Sequence, residues 1–117
     1  MDFMLLIIEP RGQREARTEA QAQEAYASML RFADGLKDRG VLRSFASLQG
    51  DATAQRVQLR ESGARLLDGP FAETKEMIGG FFVVDAASRD DAVAIAQTCP
   101  AAGWATVEVR PMGPCFL

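Results

Sequence analysis

The chain has 117 residues, 48% hydrophobic and 25% charged, which is the size and composition of one folded domain with a single core. Its net charge of -3 comes without any basic cluster, which argues against a nucleic-acid face, and its longest apolar run, Phe3 to Ile8, is too short to span a bilayer. Histidine is absent, which excludes Ser-His-Asp and Cys-His catalysis and every imidazole metal site. Acid–base work, if there is any, falls to Asp, Glu, Lys, Tyr or Cys.

Asp2 stands beside the first apolar run with no basic segment and no cleavage site, so the start does not read as a signal peptide. A cytoplasmic location is expected, without membrane or nucleic-acid partners. The two cysteines, Cys99 and Cys115, are then expected as free thiols. No metal and no cofactor is expected.

Asp2 to Glu9 reads as a central strand, because a run that is apolar at every position wants cover on both faces. Pro10 and Gly12 end it. Gln13 to Gly40 reads as helix. Thr18 and Gln21 have the spacing of a capping box, and Ala22, Tyr26, Met29, Ala33 and Leu36 recur at helical period, widened by Ala25 and Phe32. Gly40, after Lys37 and Arg39, is a stop signal. Val41 to Gln49 is expected as a strand with Phe45 and Leu48 in the core, and Gly50-Asp51 turns the chain. Arg56 to Arg60 alternates in polarity, and Ser62-Gly63 turns it back into Arg65 to Leu67 as a hairpin.

Arg65 to Asp85 is the stretch expected to carry the working surface. It holds the sharpest turn signal, Asp68-Gly69-Pro70, then the charged Glu73, Lys75 and Glu76, and then the apolar strand Gly79 to Asp85. Gly79-Gly80 permits a bulge or a close backbone approach. Ser88 with Asp91 caps a second helix, Arg89 to Cys99, with Ala92, Val93, Ala96 and Cys99 on one face. Thr106 to Arg110 is the last strand, stopped by Pro111, and the tail Met112 to Leu117 is apolar.

The order is β-α-β, hairpin, β-α-β. That is the α+β ferredoxin-like plan with an inserted hairpin, in one domain covering residues 1–117. Its central strands are the first and third main ones, here the two most apolar. Two helices cover only one sheet face, so a homodimer through the open face is expected, with Phe116 and Leu117 docking on the partner.

DGPFAETKE at Asp68–Glu76, the following Gly79-Gly80-Phe81, the helix opening Ser88-Arg89-Asp90-Asp91-Ala92 and the closing Val107-Glu108-Val109-Arg110-Pro111 resemble the YCII-related family in its DGPF-motif branch. Met4 to Ile7 fits as well, so the resemblance covers nearly the whole chain. It implies a dimer of the dimeric α/β-barrel type with a pocket between sheet and helices, near the subunit contact. Some relatives are lyase- or isomerase-type enzymes. Others lie beside sigma factors of the extracytoplasmic-function type, which implies transcription control. Relatives with proposed catalysis pair a histidine with an aspartate. Here the segment before the last strand reads Gly103-Trp104-Ala105, so only the aspartate half, Asp68, transfers.

Asp68 is therefore the candidate acid–base residue; the competing reading is a turn carboxylate capping nearby backbone N–H groups. Gly69, Pro70, Phe71 and Glu73 are candidate substrate-binding residues, against a structural turn with Phe71 as its anchor and Glu73 in a solvated loop. Arg110 shares a strand face with Glu108, and either holds an anion bidentately or makes an ion pair. Trp104 either stacks on a ligand or fills a subunit contact, and Tyr26 is expected in the core with its hydroxyl at the edge. Neither cysteine has a nearby base. The expected function is binding of a small polar or anionic molecule near the Asp68 turn, with proton transfer by Asp68 and Arg110 holding the anion. The alternative is a non-catalytic regulatory module.

Overall fold

The unbroken apolar run Phe3–Ile8 makes β1 (Asp2–Pro10) an interior strand, paired on both edges. In the computed structural model, which describes all 117 residues, β2 (Leu42–Ser47), β5 (Glu76–Asp85), β1 and β6 (Thr106–Pro111) form one antiparallel sheet in the order β2-β5-β1-β6. The two most apolar strands are its central pair. Leu5 stands opposite Phe82 on one side and Val109 on the other, so period-two alternation sorts the side chains into two faces.

One face holds Phe3, Leu5, Ile7, Phe82 and Val84, with Val107 and Val109 packed against them. The helices α2 (Glu19–Asp38) and α3 (Arg89–Gln97) cover it with Ala33, Leu36, Ala92, Ile95 and Ala96. Phe3, Leu5 and Val84 are fully buried, each worth about 1.5–3 kcal/mol in area removed from water. The other face holds Met4, Leu6, Phe81 and Val83 with Glu108 and Arg110 opposite β1, and no further layer lies over it. This is the ferredoxin-like α+β plan.

The expected helix Gln13–Gly40 runs in two pieces, α1 (Gln13–Ala16) and α2. Thr18 is extended so that its hydroxyl can accept the Gln21 N–H at 3.1 Å, and Gln21 Oε1 accepts the Thr18 N–H at 2.9 Å. A residue held that way cannot also continue a helix from Gln13. In α3, Ile95 rather than Val93 turns inward. Cys99 is buried and Cys115 exposed, both as free thiols.

β3 (Gln55–Arg60) and β4 (Gly63–Asp68) pair only with each other. Arg60 stands opposite Gly63, so the hairpin loop is Glu61-Ser62, one residue earlier than its sequence suggests, and Gly63 supplies the positive φ of 117°. The hairpin's two roots are joined by one carboxylate. Asp51, in a 3-10 turn at Asp51–Thr53, accepts Arg11 Nη1 at 3.0 Å on Oδ1, and Arg11 Nη2 together with the Phe71 N–H (3.2 Å) on Oδ2. Arg11 Nε donates to the Thr74 carbonyl at 2.8 Å, and the Gly69 N–H donates to the Ala54 carbonyl at 2.8 Å. A side chain at Gly69 would overlap the Asp51 carbonyl oxygen, so only glycine fits there. The capping that the sequence suggests for Asp68 is thus done by Asp51, reaching from the other side of the hairpin.

The Arg11 guanidinium, helped by the Phe71 N–H, holds the Asp51 carboxyl at about 2, below its ordinary 3.8, against the opposing cost of burial. A depressed folded-state pKa gives stability that is fully present above the unfolded value and lost as pH falls through the folded one. Asp51→Asn is expected to unfold at lower temperature than wild type at pH 6, with the difference shrinking as pH drops from 4 towards 2. Melting temperatures followed by circular dichroism across that range check it. Thr18→Ala, which removes one half of the capping box, is expected to cost about 1 kcal/mol, a fall of several degrees in Tm for a domain of this size.

Candidate functional site

A space lies between α2 and the sheet. It is a cavity of about 400 Å³. Its apolar walls are Ala25, Tyr26, Met29 and Leu30 from α2, and Ile7, Phe45 and Phe82 from the sheet. Phe45 and Phe82 stack with ring centroids 5.6 Å apart, and Phe32 meets the edge of Phe82 at 5.1 Å. Phe45 and Leu48, expected in the core, are each 42% exposed because they face this space rather than a packed layer. Tyr26 is 55% exposed for the same reason.

One end of the cavity is polar. Counting by twos from Phe3 brings Glu9 to the inward face, and it is only 7% exposed. Arg14, at the middle of α1, meets it. Arg14 Nη2 lies 3.3 Å from Glu9 Oε2, and Arg14 Nε lies 2.5 Å from Oε1 in an ionic contact without an aligned N–H. Glu9 Oε1 is buried against the Arg14 guanidinium and accepts no aligned hydrogen bond. Arg17 also lines the cavity, its guanidinium 5.5 Å from the centroid of Trp104, another wall residue. Gln13 Nε2 donates to the Trp104 carbonyl at 2.6 Å, tying α1 to that wall.

Gly79 makes room for the ion pair. Ile7 stands opposite Gly80 and Ile8 opposite Ile78, so Gly79 is the extra residue of a bulge in β5. A Cβ there would overlap the Glu9 carboxylate and press on Arg14 Nη2. The bulge foreseen at Gly79-Gly80 therefore serves a buried charge.

Asp68 is exposed, and its carboxylate accepts Gln55 Nε2 at 2.8 Å across the hairpin. It does not line the cavity, and neither do Gly69, Pro70, Phe71, Glu73 or Arg110. Gly69 and Pro70 are joined by a cis peptide bond at the hairpin root. Phe71 is buried beneath the Arg56 guanidinium at 3.7 Å, and Glu73, largely in solvent, lies 3.9 Å from that same arginine. Arg110 lies on the opposite sheet face with Glu108 at 3.9 Å, so it cannot hold an anion in this cavity. Phe71 and Arg56 instead border a second space of about 510 Å³, with Asp51, Thr53 and Thr74.

The cavity residues that the sequence reading passed over are Glu9, Arg14 and Arg17. The available signal was the phase of β1, in which an acidic residue follows three inward apolar ones at a spacing of two. No group of three or more Cys, Asp and Glu side chains gathers where a metal ion could sit. The chemistry open to the cavity is proton exchange at Glu9 and anion binding at Arg14 and Arg17.

An uncharacterized protein of Rhizobium meliloti (strain 1021) is 42% identical to the chain over 64 residues, which is 51% of this chain and 52% of that protein. The chain thus spans about half the length of that curated relative. Among solved structures, 5-chloro-2-hydroxyhydroquinone dehydrochlorinase (TftG) from Burkholderia phenoliruptrix AC1100, in complex with 2,5-dihydroxybenzoquinone, superposes with a TM-score of 0.58 over 97% of this chain and 94% of that one. At 19% identity the likeness is one of fold. The YCII-related domain model matches residues 1–114, and on that match, carried by the ferredoxin-like sheet just described, the chain belongs to the YCII-related family.

Proposed function

We propose that the chain binds a small, ring-sized organic anion in the cavity between α2 and the sheet, and that Glu9 exchanges a proton with it. The observation that carries this reading is a buried carboxylate, ion-paired to Arg14, among the lining residues of an otherwise largely apolar cavity. Tyr26, Phe45, Phe82 and Trp104 offer the flat apolar surfaces that a ring needs. Arg14 and Arg17 supply the charge that would hold an oxyanion. As base, Glu9 would take a proton from a ligand O–H or C–H, and the two arginines would stabilise the negative charge that develops. The ligand of the dehydrochlorinase structure, a dihydroxybenzoquinone, is of this size and oxygen-rich character. The acid–base role that the DGPF resemblance gives to Asp68 passes on this reading to Glu9, and the anion-holding role of Arg110 passes to Arg14 and Arg17.

The uncovered sheet face is read as the seat of a homodimer. Met4, Leu6 and Phe81 stay half-exposed around the buried Val83, an apolar group that a second layer would cover. A second reading keeps a ligand at the Asp68–Phe71 turn, with Glu73 at its edge. Its support is the second cavity, where Arg56 covers Phe71 and no closer acidic partner than Glu73 at 3.9 Å takes its charge.

The test is calorimetric titration of 2,5-dihydroxybenzoquinone into wild type, Glu9→Gln, Arg17→Ala and Arg56→Ala, together with chloride release from 5-chloro-2-hydroxyhydroquinone. Arg17→Ala is expected to weaken binding about tenfold or more. Glu9→Gln is expected to keep binding and to lower any turnover by about 10²–10⁴-fold, the usual share of a general base. Weakening by Arg56→Ala alone would move the ligand to the hairpin root. Binding by wild type without turnover would make the domain a binding module, and wild-type turnover in Glu9→Gln would remove Glu9 from the chemistry.

A further inference from the structure

The β3–β4 hairpin carries an apolar face that nothing in the chain covers. Val57 stands opposite Leu66 and Leu59 opposite Ala64, so these four residues share one face, with the polar pair Gln55 and Asp68 at its root end. Val57, Leu59 and Leu66 are 62%, 75% and 58% exposed. By alternation the other face carries Arg56, Gln58 and Arg65. A hairpin meant to lie in water on both sides would be polar on both, and an isolated two-stranded ribbon is marginal on its own. Here the ribbon is fixed at its root by Asp51, Arg11 and Phe71, so its apolar face is presented rather than hidden. The molecule's shape reflects this. It measures 49 × 42 × 19 Å with a radius of gyration of 16.1 Å, against about 13 Å for a compact domain of this length.

We propose that the hairpin is an arm whose apolar face, Val57, Leu59, Ala64 and Leu66, is buried against a second copy of the chain. The proposal rests on the homodimer reading above and says what else that dimer must cover. Area argues for a second copy as the occupant. Four strands of about six residues present roughly 400 Å² of sheet in plan, about half of the ~800 Å² that a stable dimer buries per partner. The hairpin adds roughly 200 Å² in plan, and side-chain corrugation brings the two together into the required range. A two-fold axis gives each copy the other's arm, so both uncovered patches close at once and none remains to extend a filament. The one charge on this face, Asp68 at its root end, already accepts Gln55 Nε2 at 2.8 Å, and the stretch beyond it is uncharged, which suits a permanent apolar contact. A nucleic acid or an acidic partner would be met by the arginine face instead.

The test is sedimentation velocity on the full chain at several concentrations, for wild type, Leu59→Lys/Leu66→Lys and Leu6→Lys, with far-UV circular dichroism confirming the fold of each. Leu59 and Leu66 are exposed in the single copy, so lysines there leave its core intact. The expected result is a dimeric wild type whose dissociation constant rises at least about 100-fold in the hairpin variant, since two charges then enter an apolar contact. A dimeric wild type that the hairpin variant leaves unchanged, while Leu6→Lys dissociates it, overturns the arm and keeps the sheet-face dimer. Dissociation by the hairpin variant alone supports the arm and removes the sheet face. A monomeric wild type overturns both.

Discussion

The Asp51 carboxylate is the point on which the rest of the arrangement turns. It receives Arg11 from the end of β1 and the Phe71 N–H from the far side of the hairpin. Arg11 in turn holds the Thr74 carbonyl and hydroxyl, so the segment entering β5 is fixed by the same group. Removing one partner of such a set leaves others unpaired in a partly buried place, which costs more than the lost bond itself. The contact joins the root of the hairpin to the end of β1 and to the segment that leads into β5.

The Gly79 bulge links fold to site. A buried carboxylate is tolerated only where a cation and room are supplied together. Arg14 supplies the cation, from a short helix that begins after Gly12 at a φ of 88°. Gly79 supplies the room. The pair is incompletely satisfied, since Glu9 Oε1 takes an ionic contact without an aligned N–H. The ion pair borders the cavity, with one carboxylate oxygen that accepts no aligned hydrogen bond.

Much of the fold is legible in the sequence because its signals are local. The apolar run at Phe3–Ile8 needs two covered faces, the Thr18–Gln21 and Ser88–Asp91 pairs mark helix starts, and Gly79-Gly80 announces its bulge. The candidate site is much less legible, because its determinants are contacts between distant segments. Nothing near Asp51 in sequence says that it caps a turn at Phe71, twenty residues on. Asp-Gly-Pro looked self-contained, so its own aspartate received the role. Phe45, Leu48 and Tyr26 follow a core pattern and do face inward, but into a space that packing leaves open. Glu9 was within reach, since the phase of β1 puts it inward; its position next to Pro10 disguised it as the strand's polar end.

The same phase separates two demands on one strand. Residues Phe3, Leu5, Ile7 and Glu9 serve the core and the cavity, while Met4, Leu6 and Ile8 serve the uncovered face. A slip of one residue would send Glu9 to the open face and Ile8 into the ion pair, so the register is held by chemistry on both sides at once. Substitutions at the even positions can then alter the uncovered face without touching the ion pair, and changes around Arg14 and Arg17 can retune the cavity without touching the sheet's far side. The exception is β5 near Gly79, where one backbone segment borders the cavity, carries the bulge and, through the Leu48 N–H bonded to the Gly79 carbonyl at 2.9 Å, anchors the chain leading to Asp51. A side chain at Gly79 would overlap the ion pair, and one at Gly80 would meet the Ala46 carbonyl oxygen, so both glycines of this wall are constrained.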